Sequence, residues 1–384
     1  MNRPAMPSAV DEDQAMGDLR REVREFISQE TAAGRFVGQV DSWLTGWDED
    51  FSRSLAERGW LGMTIPVHYG GRGQSFLERF VVTEELLAAG APLAAHWIAD
   101  RQIAPSLLKY GTEFQKHALL PGIASGETYF AIGMSEPDSG SDLASVRTRA
   151  TRCDDGWLLQ GAKVWTSGAH RAHYFIVLAR TAAVDPGDRH GGLSQFIVDL
   201  RAPGVRIRPI LSLDGRHHFN EVYLDEVHVP DEWVFGTIGA GWEQVTSELG
   251  YERSGPERFL STFPLLAAMA RAVADGTLET TAQLGRSLAR TAALHEFSAA
   301  IADGLTRGES VDLAAAITKI LGTTHEGDIA ELAGSYGLDA GSSPLGEPVR
   351  ELTADALAQR PGFTLRGGTN EILRGVVARG WGMR

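Results

Sequence analysis

One glycine-rich segment has the residue types of a ligand-binding loop. It reads MSEPDSGSDLAS, from Met134 to Ser145. A glycine such as Gly140 lets the backbone approach a ligand closely, while small hydroxyls and exposed amides can donate hydrogen bonds to a pyrophosphate or to the polar edge of a ring cofactor. A β-turn that binds nothing can have the same composition. The segment therefore predicts a binding loop, with a simple turn as the alternative.

The spacing of apolar residues changes twice along the chain and divides it into three parts. Helical spacing extends from about residue 13 to 127, short β-rich runs follow up to residue 235, and helical spacing returns after Gly239. The order of helices, sheet and helices predicts an α+β fold. The predicted parts are an N-terminal helical domain (1–127), a middle β-domain (128–236) and a C-terminal helical bundle (237–384).

The composition excludes several classes of protein. The net charge of -14 and the lack of a clustered basic face argue against nucleic acid as a partner. The single cysteine, Cys153, excludes an intrachain disulfide framework and indicates a cytoplasmic setting. No apolar run approaches the roughly 18 to 20 residues of a membrane span. We expect no metal site, and we interpret His217 and His218 as turn residues, because they lack metal-site spacing.

Further segments continue the pattern of the binding loop over nearly the whole chain. They are PVHYGGRG (66–73), KYGTEFQKHALLPGIASGE (109–127), GAKVWTSGAH (161–170), FNEVYLDEVHVP (219–230), GAGW (239–242), ELGYER (248–253) and RGGTNEILRGVVARG (366–380). Together with MSEPDSGSDLAS, this series resembles the acyl-CoA dehydrogenase family. The resemblance implies an N-terminal helical domain, a middle β-barrel-like domain and a C-terminal four-helix bundle, usually in a tetramer with FAD at a subunit interface.

The resemblance assigns part of an FAD site to the binding loop. Met134 and Ser135 would lie along the pyrimidine edge of the flavin, with Ile132 among the cofactor-binding residues. Gly140 and Ser141 would approach the FAD pyrophosphate or the acyl-CoA. Uncharged hydrogen-bond donors suit this edge of the ring.

Two further segments extend the FAD contacts that the resemblance implies. Trp165 corresponds to an indole that packs against the isoalloxazine, and Ser167 to a hydroxyl that faces flavin N5. A plain core aromatic is the alternative for Trp165. Thr369 and Glu371 begin the last predicted helix, where free amides and the helix dipole favour a phosphate. A simple threonine cap is the alternative there.

The family's reaction needs a base that removes the proton alpha to the thioester carbonyl while the beta hydride passes to the flavin. Most members carry this carboxylate directly before the Gly-Thr of the C-terminal motif, where this chain has Gly367. A minority place it on a bundle helix before an arginine, as Glu252 precedes Arg253 here. We assign Glu252 as the base. A solvated Glu-Arg pair is the alternative, and Glu248 and Glu257 are competitors.

The same resemblance suggests how the thioester is bound. The backbone amide of Gly367 occupies the place where the family hydrogen-bonds the thioester carbonyl, so Gly367 stays a catalytic candidate. Arg253 could orient the base or meet the pantetheine, and Gly368 and Ser141 complete the substrate-binding set.

One part of the family's FAD site is missing from the sequence. Many members hold the adenosine half with an Arg-x-x-Phe-Gly segment and a later Gln-x-x-Gly-Gly segment. Neither is intact here: Ala330 stands where the glutamine would be, and Ala333 with Gly334 replaces the glycine pair. The hypothesis is that the subunit borrows this half, with a different partner chain as one source. A homo-oligomer that uses Arg286 or Arg290 instead is the alternative.

The leading hypothesis is an FAD-dependent acyl-CoA dehydrogenase that makes a trans-2-enoyl-CoA. It would act in a homo- or hetero-oligomer, expected to be a tetramer, and pass electrons to an electron-transferring flavoprotein. The alternatives are a monooxygenase or oxidase on the same fold, and a non-catalytic subunit that completes a partner's FAD site. Short, branched, aromatic and steroid acyl groups all stay open.

Overall fold

A computed structural model of the chain describes residues 10, 13–279, 281–336 and 346–383. Helices precede and follow a single mixed sheet. The α-helices are α1 (Gln14–Ala32), α2 (Ser42–Thr45), α3 (Glu49–Glu57), α4 (Phe76–Ala88), α5 (Ala94–Ile98), α6 (Ala104–Tyr110), α7 (Glu113–Ala124), α8 (Gly241–Arg253), α9 (Phe263–Ala274), α10 (Ala282–Thr306), α11 (Asp312–Ser335), α12 (Glu347–Phe363) and α13 (Asn370–Gly380). The strands are β1 (Phe130–Gly133), β2 (Arg149–Cys153), β3 (Gly156–Lys163), β4 (Tyr174–Arg180), β5 (Leu193–Asp199), β6 (Val205–Leu211), β7 (His217–Pro230) and β8 (Val234–Phe235).

The sheet has the order β6-β7-β3-β2-β4-β5-β8, and β1 pairs with β4 in parallel. Nearly every residue of β4 and β5 is buried, and each strand contains a continuous apolar run, FIVLA in β4 and FIV in β5. Residues of β7 instead alternate between buried and more exposed positions over much of its length, as expected of a strand with one covered face. The strands β4 and β5 thus form the buried part of the sheet. The longer β7 has polar residues near its start.

The interpretation of His217 and His218 as turn residues is wrong. Both belong to β7, where His217 pairs with Leu211 of β6 and His218 is buried. The alternation of buried positions in Phe219–Val222 extends back through them, so they continue the strand.

The described chain packs as two compact units. We call Met1–Trp47, Ser75–Pro92 and Glu252–Arg384 the helical unit, and Asp48–Gln74 with Leu93–Tyr251 the sheet unit. The domain boundaries at residues 127 and 236 stay a prediction. Among the described helices, none combines the length and apolar character that a membrane-spanning segment needs.

Each unit has its own apolar core. In the helical unit, residues of α9, α11 and α12 pack together, with Leu265, Ile329 and Phe363 among the buried members. In the sheet unit, Ile176 and Phe130 pack against the helices that precede the sheet. Helix starts are defined by local side-chain bonds, such as the capping box of Ser75 and Glu78 at α4.

Candidate active site

The binding loop begins where β1 ends, and a buried carboxylate organises it. Glu136 is buried and accepts hydrogen bonds from the backbone amides of Arg147 at 2.6 Å and Thr148 at 2.9 Å. The side chain of Lys163 donates to the same carboxylate at 2.8 Å. Glu136 therefore holds the two ends of the loop together rather than facing a ligand.

Lys163 ties the binding loop to the turn that follows β3. Its ammonium is fully buried and also donates to the carbonyl of Met134 at 3.1 Å. Burial lowers the pKa of Lys163 to about 8 in spite of the attraction of Glu136. Burial also pushes the pKa of Glu136 upwards, but Lys163 and the amide donors outweigh it and hold that pKa below its usual value. We call these residues the Glu136–Lys163 network.

Trp165 lies in the turn directly after β3 and has an unusual backbone. Its φ of 61° is in the left-handed region, which costs a residue with a side chain roughly 1–2 kcal/mol. Its indole is 58% exposed and packs edge-on against Phe219, with ring centroids 5.5 Å apart. The alternative of a plain core aromatic is therefore excluded: the ring is presented to the outside.

The flavin-ring residues that the sequence predicts lie on neighbouring backbone segments. The amide of Val164 donates to the carbonyl of Ser135 at 2.9 Å, so the loop and the Trp165 turn run side by side. Ser135, Ser167 and Ile132 are half-buried. This arrangement of an exposed aromatic face beside small hydroxyls and backbone amides fits the ring of a flavin.

The outer part of the binding loop is open. Gly140 and Ser141 are exposed, and a Cβ placed on Gly140 would meet no atom within 4 Å. The backbone there can be approached closely by a ligand, as a phosphate contact requires.

In the helical unit, the predicted base comes into contact with Gly367. Glu252 lies in the last turn of α8, and its side chain is 22% exposed. A Cβ placed on Gly367 would lie 3.0 Å from Glu252 Oε1. Arg253 Nε donates to the carbonyl of Gly367 at 2.7 Å, which fixes the position of this peptide. The structure thus brings Glu252, Arg253 and Gly367 together.

Arg258 holds the Glu252 side chain in place. Its guanidinium is only 2% exposed and donates to Glu252 Oε1 at 3.0 Å and to the Glu252 carbonyl at 2.9 Å. The Arg258 guanidinium lies 5.3 Å from the ring centroid of Trp43, and the guanidinium of Arg366 lies 5.1 Å from it. Arg366 in turn pairs with the buried Asp41. We call these residues the Trp43 stack.

A buried lysine organises the start of the last helix. Lys319 Nζ donates to Asn370 Oδ1 and to the carbonyl of Thr364, both at 2.8 Å. Burial lowers the pKa of Lys319 to about 7, with the charge of Arg258 contributing. Thr369 caps α13, because its hydroxyl accepts from the amide of Ile372 at 3.3 Å. The structure therefore contains the threonine cap. This cap is compatible with phosphate binding by other amides of the first turn.

The competing carboxylates have other surroundings. Glu257 is buried beside Arg258, 3.4 Å from its Nε. Glu248 is buried in the part of α8 that belongs to the sheet unit. Glu252 is the carboxylate that a side chain at position 367 meets first.

The positions predicted to have lost the adenosine contacts are apolar in the structure as well. Ala330 and Ala333 are buried in the core cluster of the helical unit, where they offer no polar group. Arg290 forms an exposed ion pair with Asp328 at 2.5 Å, and Arg286 is exposed on the same helix.

The sequence analysis did not predict the residues that support Glu252 and the start of α13. Lys319 had a signal, because it is a single cation inside the apolar helical run LAAAITKILG. Trp43, Asp41 and Arg258 had no comparable signal, since nothing in their neighbourhoods marks them as buried partners.

Comparison with known families identifies the class of protein that has this fold and these residue clusters. A family model described as acyl-CoA dehydrogenase, N-terminal domain, matches residues 12–127, and one described as acyl-CoA dehydrogenase, middle domain, matches residues 131–227. The chain therefore belongs to the acyl-CoA dehydrogenase family, which confirms the family predicted from the sequence.

Two relatives from Mycobacterium tuberculosis have the same family name. Acyl-CoA dehydrogenase FadE29 is 35% identical over 339 residues, covering 85% of this chain and 86% of FadE29. Acyl-CoA dehydrogenase FadE34 is 35% identical over 330 residues, covering 85% of this chain. The match spans only 45% of the length of FadE34.

Solved structures confirm the predicted fold. The Tcur3481-Tcur3483 steroid ACAD superposes with a TM-score of 0.84 at 32% identity, covering 97% of this chain and 99% of that one. The ChsE4-ChsE5 complex from Mycobacterium tuberculosis gives a TM-score of 0.75 at 28% identity, covering 97% and 98%. The order of N-terminal helices, middle sheet and C-terminal helices is shared.

Proposed function

We propose that this chain is an FAD-dependent acyl-CoA dehydrogenase that desaturates a thioester at the alpha-beta bond, with Glu252 as the base. One observation carries the proposal: the carboxylate of Glu252 reaches to 3.0 Å from the point where a side chain at position 367 would begin. The family's usual base position holds a glycine here. A carboxylate from α8 occupies the adjoining space, so the loss at one position is matched by a gain at the other.

The residues around Glu252 have definite roles in this proposal. Glu252 takes the alpha proton of the bound thioester. The amide of Gly367 donates to the thioester carbonyl, and the bond from Arg253 Nε to the Gly367 carbonyl keeps that peptide oriented. Arg258 orients the carboxylate through its bond to Oε1. Gly368 adjoins the thioester and leaves it room.

FAD, when bound, supplies the acceptor for the beta hydride. Trp165 covers one face of its ring, and Ser167 donates to the ring edge. Met134 and Ser135, with Ile132, border the pyrimidine end. The residues proposed for the pyrophosphate and the acyl-CoA are Gly140, Ser141, Thr369 and Glu371.

We infer that the chain works with a second, different subunit. The buried Ala330 and Ala333 leave no polar contact for the adenosine half of FAD at these positions. Two structural relatives, Tcur3481-Tcur3483 and ChsE4-ChsE5, are named as pairs of proteins, which supports a heteromer. Purification of the chain alone tests this inference. A yellow homotetramer with one FAD per chain would contradict it and support the use of Arg286 or Arg290.

The substrate panel should begin with steroid thioesters. The Tcur3481-Tcur3483 structure is named a steroid ACAD, and it is 32% identical to this chain. Short, branched and aromatic acyl-CoAs complete the panel, and an electron-transferring flavoprotein is the proposed acceptor.

Anaerobic reduction of the flavin tests the activity. The FAD-loaded protein, with its partner where one is needed, is mixed with each acyl-CoA while the flavin absorbance is followed. We expect loss of the yellow colour together with formation of the trans-2-enoyl-CoA. A flavin that stays oxidised with the whole panel would contradict a dehydrogenase. In a parallel assay with oxygen, product formation without desaturation would instead favour the monooxygenase or oxidase alternative.

A further inference from the structure

Asn220 of β7 bonds directly to the turn that carries Trp165. The amide of Thr166 donates to the Asn220 carbonyl at 3.0 Å, and Asn220 Nδ2 donates to the Thr166 carbonyl at 3.0 Å. The amide of Gly168 donates to the carbonyl of His218 at 2.8 Å. The residues on both sides of Ser167 are therefore bonded to the first part of β7.

The Thr166 carbonyl fixes which way the Asn220 amide points, and two histidines complete the hydrogen bonds of that amide. The carbonyl of Thr166 only accepts, so the atom that faces it must be the NH2 group. Asn220 Oδ1 then faces His217 Nε2 at 2.8 Å, and His217 must donate through this nitrogen. Asn220 Nδ2 also lies 3.1 Å from His170 Nδ1, which must accept. Each histidine thus has a defined tautomer.

The surroundings of the two rings favour these tautomers. The His170 and His217 rings stack with centroids 4.0 Å apart. Burial, with the charges of His217 and Arg171, lowers the pKa of His170 to about 4, so its Nδ1 stays free to accept at neutral pH. Asn220 itself is 0% exposed, so a flipped amide could not be rescued by water.

We propose that Asn220, oriented by His170 and His217, is a positioning residue that holds the Trp165–Ser167 turn in its flavin-binding form. This inference rests on the proposed FAD site. The left-handed backbone of the exposed Trp165 needs support from outside the turn, because a tryptophan there would otherwise relax to negative φ. Phe219, next to Asn220 in the chain, supports the indole edge-on. None of these side chains needs to touch the substrate.

Substitution Asn220→Asp tests the proposal by removing the NH2 donor while the shape stays the same. We expect the FAD-free protein, with its partner where one is needed, to bind FAD about tenfold more weakly, the loss expected for one or two buried bonds, and the visible flavin spectrum to shift. Both readouts are independent of turnover.

Gln115→Glu is the matched control. Gln115 is also a fully buried amide of the sheet unit, and its Nε2 donates to the carbonyls of Glu232 at 2.7 Å and Val234 at 2.8 Å. The control should lower the melting temperature as Asn220→Asp does but leave the FAD affinity unchanged. Equal loss of FAD affinity in both variants would show general destabilisation and overturn the proposal.

A second pair of variants covers the case in which Asn220→Asp does not fold. His217 is exposed, so its replacement leaves the core intact. His217→Gln keeps a donor near the place of Nε2 and should bind FAD within about twofold of wild type, whereas His217→Leu lacks the donor and should bind it more weakly. Equal affinities in these two variants would overturn the proposal. Wild-type protein that binds no FAD even with its partner would overturn the proposed function as well, which separates the two failures.

Discussion

The binding loop of the sheet unit and the residues around Glu252 in the helical unit are held together in different ways. The Glu136–Lys163 network joins segments that are close in sequence, since Glu136 and Lys163 are 27 positions apart. The Trp43 stack and its neighbours instead join Asp41, Glu252 and Arg366, and the Asp41–Arg366 pair spans 325 positions.

This difference explains why the first region forms a recognisable sequence motif and the second does not. A local network leaves a compact motif, because all its members must appear in order within a short stretch. A dispersed cluster leaves isolated residues whose partners are known only after folding. It also lets a carboxylate from a distant segment reach the space beside Gly367.

The largest effect is expected from breaking the local network with Lys163→Met. This change leaves the Glu136 carboxylate buried without its cation, and removal of one partner of a buried pair costs about 3–5 kcal/mol. We expect the urea midpoint of unfolding to fall accordingly and FAD binding to be lost.

Lys116→Met is the control for this change. Lys116 pairs with Glu113 at the surface, at 3.0 Å, so its removal should alter the free energy of unfolding by less than about 1 kcal/mol. An unchanged urea midpoint for Lys163→Met would mean that the network does not stabilise the loop.

A smaller effect, on turnover, is expected for Gly367→Ala in the dispersed cluster. The new Cβ would lie 3.0 Å from Glu252 Oε1 and 3.3 Å from the Arg258 guanidinium, so the carboxylate must shift. We expect kcat to fall up to about tenfold, because the shift is a few tenths of an ångström and a 1 Å misplacement of a reacting group costs about 10²-fold.

Gly308→Ala separates steric displacement from backbone strain. Gly308 also has a positive φ, of 72°, but a Cβ there meets no atom within 4 Å. This variant should lose stability yet keep the wild-type kcat. A kcat for Gly367→Ala equal to that of Gly308→Ala would contradict the contact between Glu252 and position 367.

The smallest expected effect is the contribution of Lys319 to the pH dependence of the free energy of unfolding. The pKa of Lys319 falls from 10.5 to about 7 on folding, chiefly because it is buried. Between these two values the unfolded chain holds more protons, so this lysine makes stability rise with pH. Wild type should therefore gain on the order of 1 kcal/mol over Lys319→Met between pH 7 and pH 9 in urea unfolding. Lys163 is present in both proteins, so its own titration cancels. A difference that stays constant or shrinks would contradict the lowered pKa.

The sequence predicted the family and the fold, because MSEPDSGSDLAS and KVWTSG are each short contiguous segments. The contacts of these two segments with a flavin stay a prediction. The sequence also marked Glu252, since an arginine follows directly. The sequence could not show that Arg258 holds this carboxylate or that two guanidinium groups lie over the Trp43 ring, because these contacts exist only in the folded chain. His217 was misinterpreted for the same reason: its pairing with Leu211 of β6, which its residue type does not indicate, gives it a place in a strand.

The role of Glu252 as the base is tested most directly by the anaerobic rate of flavin reduction by acyl-CoA in Glu252→Gln. The amide keeps the size of the side chain but cannot take a proton, so we expect the rate to fall by about 10²- to 10⁴-fold while FAD stays bound. The control is Glu243→Gln, an exposed glutamate in the first turn of the same helix, which should keep the wild-type rate. A wild-type rate in FAD-loaded Glu252→Gln would contradict its role as the base.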